Sequence, residues 1–149
     1  MFSFIEVGIY SDKCLKFANN EWKEFATLKQ KRSNAAGIVF EDHFHIFGGY
    51  GGDGLKSTEI ISANGVVIDG PNMKTELFYH AITNLNQTSS IISGGSEKWA
   101  SGSYTSKTWF YNHKTKEFSA GPALLQARKI HASATLVDKH GIYIKKVRL

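Results

Sequence analysis

The stretch HIFGGYGGDG, residues 45–54, contains five of the fourteen glycines in the chain. A glycine-rich segment of this kind is typical either of a phosphate-binding loop or of a fold that repeats. A phosphate-binding loop leads into a helix, whose first N–H groups hold the phosphates. Here the next residues, 55–61 (LKSTEII), read as a strand and show no helical period. The sequence therefore predicts that these glycines are structural.

The rest of the chain consists of short apolar runs bounded by turn residues. The runs are rich in β-branched and aromatic side chains, and almost no segment has the three- and four-residue spacing of a helix. The two prolines, Pro71 and Pro122, both fall where turns are expected. This pattern predicts an all-β protein.

The turn residues recur with a period near 50. The doublets Gly48-Gly49 and Gly94-Gly95 are 46 residues apart, and Pro71 and Pro122 are 51 apart. Six residues after each proline a similar segment begins, LFYHA at 77–81 and RKIHA at 128–132, and RSNAA at 32–36 is a third copy. The residues that mark the repeat are Trp22, Arg32, Gly48, Gly49, Pro71, Gly94, Gly95, Phe118, Pro122 and Arg128. A repeat of this length is typical of arrays and propellers.

The markers resemble the kelch repeat, in which Arg and His precede a strand ending in Gly-Gly, and a Trp and a proline turn follow. Val67 and Phe118 stand in the Trp place, and Leu77 stands in the Arg place of one copy. The resemblance implies an all-β fold of kelch-type β-propeller blades with four antiparallel strands each. It implies blades at 32–76 and 77–127, and two-strand half blades at 1–31 and 128–149.

This arrangement gives about three blades, whereas closed propellers have about four to eight. A third glycine doublet is expected near residue 145, where the sequence has Lys145-Lys146. We therefore expect an incomplete ring. The favoured explanation is a fragment of a longer propeller, and the alternatives are a truncated product or a protomer that completes a ring with another copy. Open blade edges would permit self-association.

Composition limits the class of protein. Hydrophobic residues make up 42% of the chain and charged residues 21%, no apolar run reaches the roughly 20 residues of a membrane span, and the start does not read as a secretory signal. Cys14 is the single cysteine, which favours a reducing, cytoplasmic setting. The net charge of +5 is spread along the chain without the basic, aromatic-interleaved element of a nucleic-acid reader. We expect neither a membrane nor a nucleic-acid partner.

The polar residues do not form a recognisable catalytic or metal motif. His43 and His45 point to one face of a strand, where we expect surface histidines, and His80 and His131 recur in register, which favours packing. Galactose oxidase is the enzyme most similar in fold to kelch proteins, but its copper site needs a tyrosine thioether-linked to a cysteine, and no tyrosine motif matches Cys14. We therefore expect no catalytic residue, cofactor or metal.

The loops offer a binding surface. The segment 96–106 carries Trp99 and Tyr104, and the equivalent segment 50–56 carries Tyr50 and Asp53. Exposed Trp and Tyr dominate the energetics of protein interfaces, although Trp99 could instead fold back as packing. By resemblance we expect a non-enzymatic protein-interaction module. The roles that the kelch family implies are recruitment of substrates to a cullin-type ubiquitin ligase, or binding of actin or another cytoskeletal protein. The alternative is a kelch-fold enzyme or glycan-binding protein.

Overall fold

The computed structural model describes residues 4–7, 10–99, 103–138 and 141–144. These residues form β-strands, turns and loops without a helix, which confirms the all-β fold expected from the sequence. The strands are β1 (Phe4–Val7), β2 (Ser11–Ala18), β3 (Glu21–Arg32), β4 (Ala36–Phe40), β5 (His43–Phe47), β6 (Thr58–Ser62), β7 (Val67–Asp69), β8 (Ala81–Asn84), β9 (Ser89–Ser93), β10 (Thr108–Asn112), β11 (Glu117–Ala120), β12 (Thr135–Asp138) and β13 (Gly141–Ile144). Within the described ranges, no helix has the length and apolar character required to cross a membrane.

The strands are arranged in antiparallel sheets whose strand order follows the chain. Strands β1–β3 form a three-stranded sheet, β4–β7 and β8–β11 form four-stranded sheets, and β12 and β13 form a pair. The first segment thus has three strands, where the repeat spacing gave two. The additional strand is β1, which pairs with β2 over its whole length.

The two four-stranded sheets repeat the same side-chain hydrogen bond. The hydroxyl of Thr58 donates to the carbonyl of Pro71 at 2.8 Å, and the hydroxyl of Thr108 donates to the carbonyl of Pro122 at 2.7 Å. Each threonine begins the third strand of its sheet, and each proline follows the fourth strand. The proline turns are therefore fixed in the same place in both sheets, as the period of the sequence predicts.

Three equivalent residues join successive copies of the repeat. Asn34, Tyr79 and Ile130 all adopt a left-handed backbone, with φ of 53°, 56° and 53°. The N–H of Tyr79 donates to the carbonyl of Asn34 at 3.0 Å, and the N–H of Ile130 donates to the carbonyl of Tyr79 at 2.9 Å. A left-handed β-branched residue such as Ile130 is uncommon and persists only when its surroundings impose it. The three copies found in the sequence therefore keep register in the structure.

The glycine doublets are required by the backbone. Both glycines have positive φ in each doublet, 56° and 101° in Gly48-Gly49 and 60° and 98° in Gly94-Gly95. A Cβ on the first glycine of each doublet would clash with the carbonyl oxygen of Leu77 or Arg128, at the start of the next copy. Glycine alone meets both conditions. The segment after Gly48-Gly49 continues into β6 and not into a helix, which confirms the structural role predicted for these glycines.

Two apolar clusters hold the sheets together. The cluster that includes residues of both four-stranded sheets contains Ile38, Phe47, Met73, Leu77, Ile92 and Tyr111. The cluster that joins the first sheet to the next contains Cys14, Ala26, Leu28, Ile46 and Ile61. The sheets are therefore stabilised through their faces, chiefly by burial of β-branched and aromatic side chains.

A buried ion pair connects the first sheet to the second. Arg32, at the end of β3, is fully buried, and its Nη2 lies 2.6 Å from Oε1 of Glu59 on β6. Its Nη1 also donates to the carbonyl of Gly48 at 2.5 Å. In the next copy the same two positions are occupied by Leu77 and Trp109, which belong to an apolar cluster. One inter-sheet position is therefore filled by a charged pair in one copy and by an apolar pair in the next.

Two other repeat markers have weaker contacts than Arg32. The Trp22 ring is 47% exposed and packs against Phe17 of the neighbouring strand at 5.2 Å between ring centroids. The Arg128 side chain is half-buried and donates to the nearby carbonyl of Gln126 at 3.4 Å. Sequence register did not indicate how deeply each of these residues is buried.

Candidate functional site

The candidate site lies where short bridged segments extend the two four-stranded sheets. Each segment contains three residues held by antiparallel bridges, which are Ser33, Tyr50 and Gly54 in the first copy and Phe78, Ser96 and Tyr104 in the second. The N–H of Tyr50 donates to the carbonyl of Ser33 at 2.7 Å, and the N–H of Ser96 donates to the carbonyl of Phe78 at 2.8 Å. These bonds fix the backbone beneath the loops, so the loops project from an ordered base.

The two loops differ in length. The first runs from Tyr50 to Gly54, whereas the equivalent loop runs from Ser96 to Tyr104 and is four residues longer. The longer loop carries Trp99 over the shorter one, and the centroids of the Trp99 and Tyr50 rings are 4.7 Å apart. The insertion therefore creates an aromatic contact between two copies of the repeat.

The Trp99 ring packs on the residues at the base of the loops. Its centroid lies 5.7 Å from that of Phe78 and 6.3 Å from that of Tyr79, with interplanar angles of 26° and 30°. Phe78 is buried, whereas Trp99 is 62% exposed and Tyr104 is 47% exposed. Tyr50, Phe78, Tyr79, Trp99 and Tyr104 are called the aromatic patch below. Its base is packed as a core would be, and its outer surface is open.

One lysine side chain lies against the patch. The ammonium group of Lys129 lies 5.8 Å from the ring centroid of Tyr79 and 5.9 Å from that of Tyr104, so it connects Tyr104 to the other rings. Glu97 is already paired with Lys107 at 2.8 Å. Neither Lys129 nor Lys98 has an ion pair with another described residue.

The structure brings together three of the four loop residues singled out from the sequence. Tyr50 and Trp99 are in contact, and Tyr104 joins them through Lys129. Asp53 is exposed in its turn, where its carboxylate accepts the N–H of Gly54 at 2.9 Å. The Trp99 ring packs on the sheet end and still exposes most of its surface, and its role in partner binding stays a prediction.

Three members of the site were missed at the sequence level. Phe78, Tyr79 and Lys129 lie in the segments used to detect the repeat, where only their register was considered. In the first copy the places of Phe78 and Tyr79 are occupied by Ser33 and Asn34. The change from small polar to aromatic residues at repeat-equivalent positions is the signal that could have located the patch.

The expectation that His45 lies on the surface is wrong. His45 is only 6% exposed, and its ring contacts those of Tyr111 at 6.4 Å and His113 at 5.6 Å, both from the next sheet. His43, on the same face, is exposed. Burial, with smaller contributions from His113 and His43, lowers the pKa of His45 to about 4. His45 therefore packs as a neutral side chain between sheets.

His80 and His131 flank the second glycine doublet. The Cβ of His80 lies 2.8 Å from the position that a Cβ on Gly95 would take, and Nε2 of His131 lies 3.1 Å from the hydroxyl of Ser93. Burial, with a smaller effect of His131, lowers the pKa of His80 to about 3. No group of three or more metal-binding side chains occurs within the described ranges.

A serine–histidine contact occurs on β9 and the adjacent turn. The hydroxyl of Ser90 lies 2.7 Å from Nε2 of His113, and it also donates to the amide oxygen of Asn84 at 2.8 Å. Ser90 has no exposed surface, and the ring of His113 is stacked on Phe40 with 3.9 Å between centroids. A substrate cannot reach this hydroxyl in the folded state, so the contact satisfies buried polar groups.

Comparison with known proteins gives one limited similarity. No protein-family model matches the chain. The spermatocyte protein spe-26 of Caenorhabditis elegans is 30% identical over 110 residues, which are 71% of this chain and 18% of that protein. The chain therefore spans less than a fifth of the length of this curated relative.

Proposed function

We propose that the chain is a non-enzymatic protein-interaction module built from kelch-type β-propeller blades, and that the aromatic patch is its contact surface. The two four-stranded sheets support the blade interpretation, since each consists of consecutive antiparallel strands and repeats the same turn hydrogen bonds. By resemblance to kelch proteins, the proposed partners are a substrate recruited to a cullin-type ubiquitin ligase or a cytoskeletal protein such as actin.

The observation that carries the proposal is the exposure of Trp99. A tryptophan with 62% of its surface in water gives up most of the burial that would stabilise the fold. Trp99 also belongs to an insertion that the repeat does not need, because the first copy closes its loop with four residues fewer. Binding residues are commonly found on loops held by a rigid scaffold. Interface hot spots are enriched in Trp and Tyr, and truncation of such a residue costs about 2 kcal/mol or more.

The test uses a photo-crosslinking residue at the rim of the patch. We replace Tyr104 with p-benzoylphenylalanine, which keeps an aromatic ring there, irradiate in an extract of the source cells, and identify the crosslinked protein by mass spectrometry. The purified partner is then titrated calorimetrically with the original chain and with two variants. Trp99→Ala tests the patch, and Trp22→Ala is the matched control, since Trp22 is 47% exposed on a different sheet.

We expect Trp99→Ala to weaken binding by about 30-fold, the equivalent of a 2 kcal/mol hot spot, and Trp22→Ala to change it by less than about twofold. Far-UV circular dichroism should give similar thermal transitions for both variants. Equal effects of the two substitutions, or crosslinking that persists unchanged with Trp99→Ala, would remove the patch as the contact surface.

A further inference from the structure

The aromatic patch and the adjacent Lys129 together present several hydrogen-bond donors. Trp99 contributes an indole N–H, Tyr50, Tyr79 and Tyr104 contribute hydroxyls, and Lys129 contributes an ammonium group. Indole and ammonium groups can only donate, and the tyrosine hydroxyls can donate as well. The surface therefore combines flat apolar rings with several hydrogen-bond donors.

We propose that the aromatic patch binds a proline-rich segment in the polyproline II conformation, an inference that rests on the proposed function and names its ligand class. A proline-rich segment has no N–H at its prolines, so its backbone presents mainly carbonyl acceptors to a partner. The pyrrolidine rings offer apolar faces that pack on aromatic side chains, as in other domains that read such segments. The ligand thus supplies acceptors for the donors of the patch and apolar faces that pack on its rings.

The rings of the patch form two groups that Lys129 connects. The Tyr50, Phe78 and Tyr79 rings lie beside Trp99, and Lys129 links Tyr79 to Tyr104 further along the surface. A polyproline II helix rises about 9 Å per three-residue turn, so prolines three residues apart lie on the same side of the ligand and can contact different rings. The conformation also exists before binding, so little conformational entropy is lost on docking.

Charge selects the residues that flank the prolines. Lys129 lies against the rings of Tyr79 and Tyr104 without a carboxylate partner among the described residues, whereas the exposed Asp53 lies on the loop of Tyr50 at the other side of the patch. An acidic residue beside the prolines would pair with Lys129, whereas a basic residue would be repelled. The expected ligand is therefore a proline-rich segment with an acidic residue on the flank that meets Lys129.

The experiment follows the three tryptophan indole N–H signals in ¹⁵N-labelled protein by NMR. The probe is the peptide Ac-EPPPPPPPPE-NH₂, and the comparison peptides are Ac-KPPPPPPPPK-NH₂ and Ac-EGSGSGSGSE-NH₂. We expect the Trp99 signal to shift to saturation with half-saturation below about 1 mM, while the Trp22 and Trp109 signals stay in place. Assignment comes from Trp99→Phe, and Trp99→Ala should weaken peptide binding at least tenfold when it is followed through the backbone amide signals of Tyr50 and Tyr104.

The charge preference has its own variant. The glutamate-flanked peptide should bind about two- to fivefold more tightly than the lysine-flanked one, in line with an exposed ion pair. Lys129→Gln should reduce this ratio without abolishing the shift of Trp99. Absence of a Trp99 shift at 1 mM peptide, or an equal shift with the glycine–serine peptide, overturns the inference. If a protein is still captured through Trp99 in that case, the interaction module stands and only the ligand class is wrong.

Discussion

Replacing Gly95 with alanine should destabilise the protein more than the same replacement at Gly52. Both glycines have φ of 98°, so alanine meets the same unfavourable value of this angle at each. At Gly52 the nearest atom to the new Cβ is the Tyr10 hydroxyl, at 3.9 Å. At Gly95 the new Cβ would lie 2.8 Å from the Cβ of His80 and 2.9 Å from the carbonyl oxygen of Phe78. The two variants therefore differ chiefly in steric contact.

The expected sizes follow from these distances. A left-handed backbone costs an alanine about 1–2 kcal/mol, and this is the whole effect expected for Gly52→Ala. Overpacking against atoms that cannot move away adds about 1–3 kcal/mol, which applies to Gly95→Ala alone. For a chain of this length, each 1 kcal/mol lowers the melting temperature by about 2–4 °C. The Gly95 variant should therefore melt at a clearly lower temperature than the Gly52 variant.

The measurement is urea denaturation followed by far-UV circular dichroism, with the free energy of unfolding extrapolated to water for both variants and the original chain. The slopes of the denaturation curves must agree, since a change in slope would indicate a different unfolded or native state. If Gly95→Ala and Gly52→Ala lose the same stability within about 0.5 kcal/mol, the close approach at the doublet has no energetic weight, and the reasoning fails.

Three further predictions concern buried polar groups. Arg32→Met should cost about 3–5 kcal/mol in urea denaturation, because it leaves the carboxylate of Glu59 buried without its partner, and a loss below 1 kcal/mol would mean that the pair is open to solvent. Burial depresses the pKa values of His45 and His80 to about 4 and about 3, so the unfolded chain takes up protons first as the pH falls below 6.5. The free energy of unfolding should be constant above about pH 7. Between pH 6.5 and 5 it should fall by about 1.4 kcal/mol per pH unit for each of the two histidines. A free energy of unfolding that does not change in that interval would contradict the burial of the two rings. Burial raises the pKa of Cys14 to about 11, so a disulfide reagent at pH 8 should modify the native thiol about a hundredfold more slowly than the thiol in urea, and equal rates would place Cys14 at the surface.

The strands and their period could be predicted from the sequence because both depend on local pattern. Alternating apolar runs such as β5 and β6, and turn residues such as Gly48 and Pro71, act through backbone conformation and nearby burial. The burial of His45 could not be predicted in this way. Its environment is supplied by His113 and Tyr111, more than sixty residues away in the chain, and period-two alternation does not indicate which face meets a neighbouring sheet.

The same limit applied to the candidate site. Tyr50, Trp99 and Tyr104 were selected from the sequence as aromatic residues in loops, which is a matter of residue type. Their contact depends on how far the inserted residues carry Trp99 toward Tyr50, and this is fixed by the packing of one sheet end beside the next. Lys129 joins the site from a third copy of the repeat, so no single segment of the sequence contains it.

Residues that recur in more than one copy and residues that occur in a single copy are subject to different structural constraints. The glycine doublets and the threonine–proline bonds recur because each copy must turn and pack in the same way. Arg32 with Glu59 and Leu77 with Trp109 fill equivalent positions with opposite chemistry, so even the contact between sheets accepts more than one solution. Trp99 also occurs in one copy, but unlike the inter-sheet pairs it remains mostly exposed. A side chain that neither the repeat nor the core requires is the one whose removal should alter binding while leaving the fold intact.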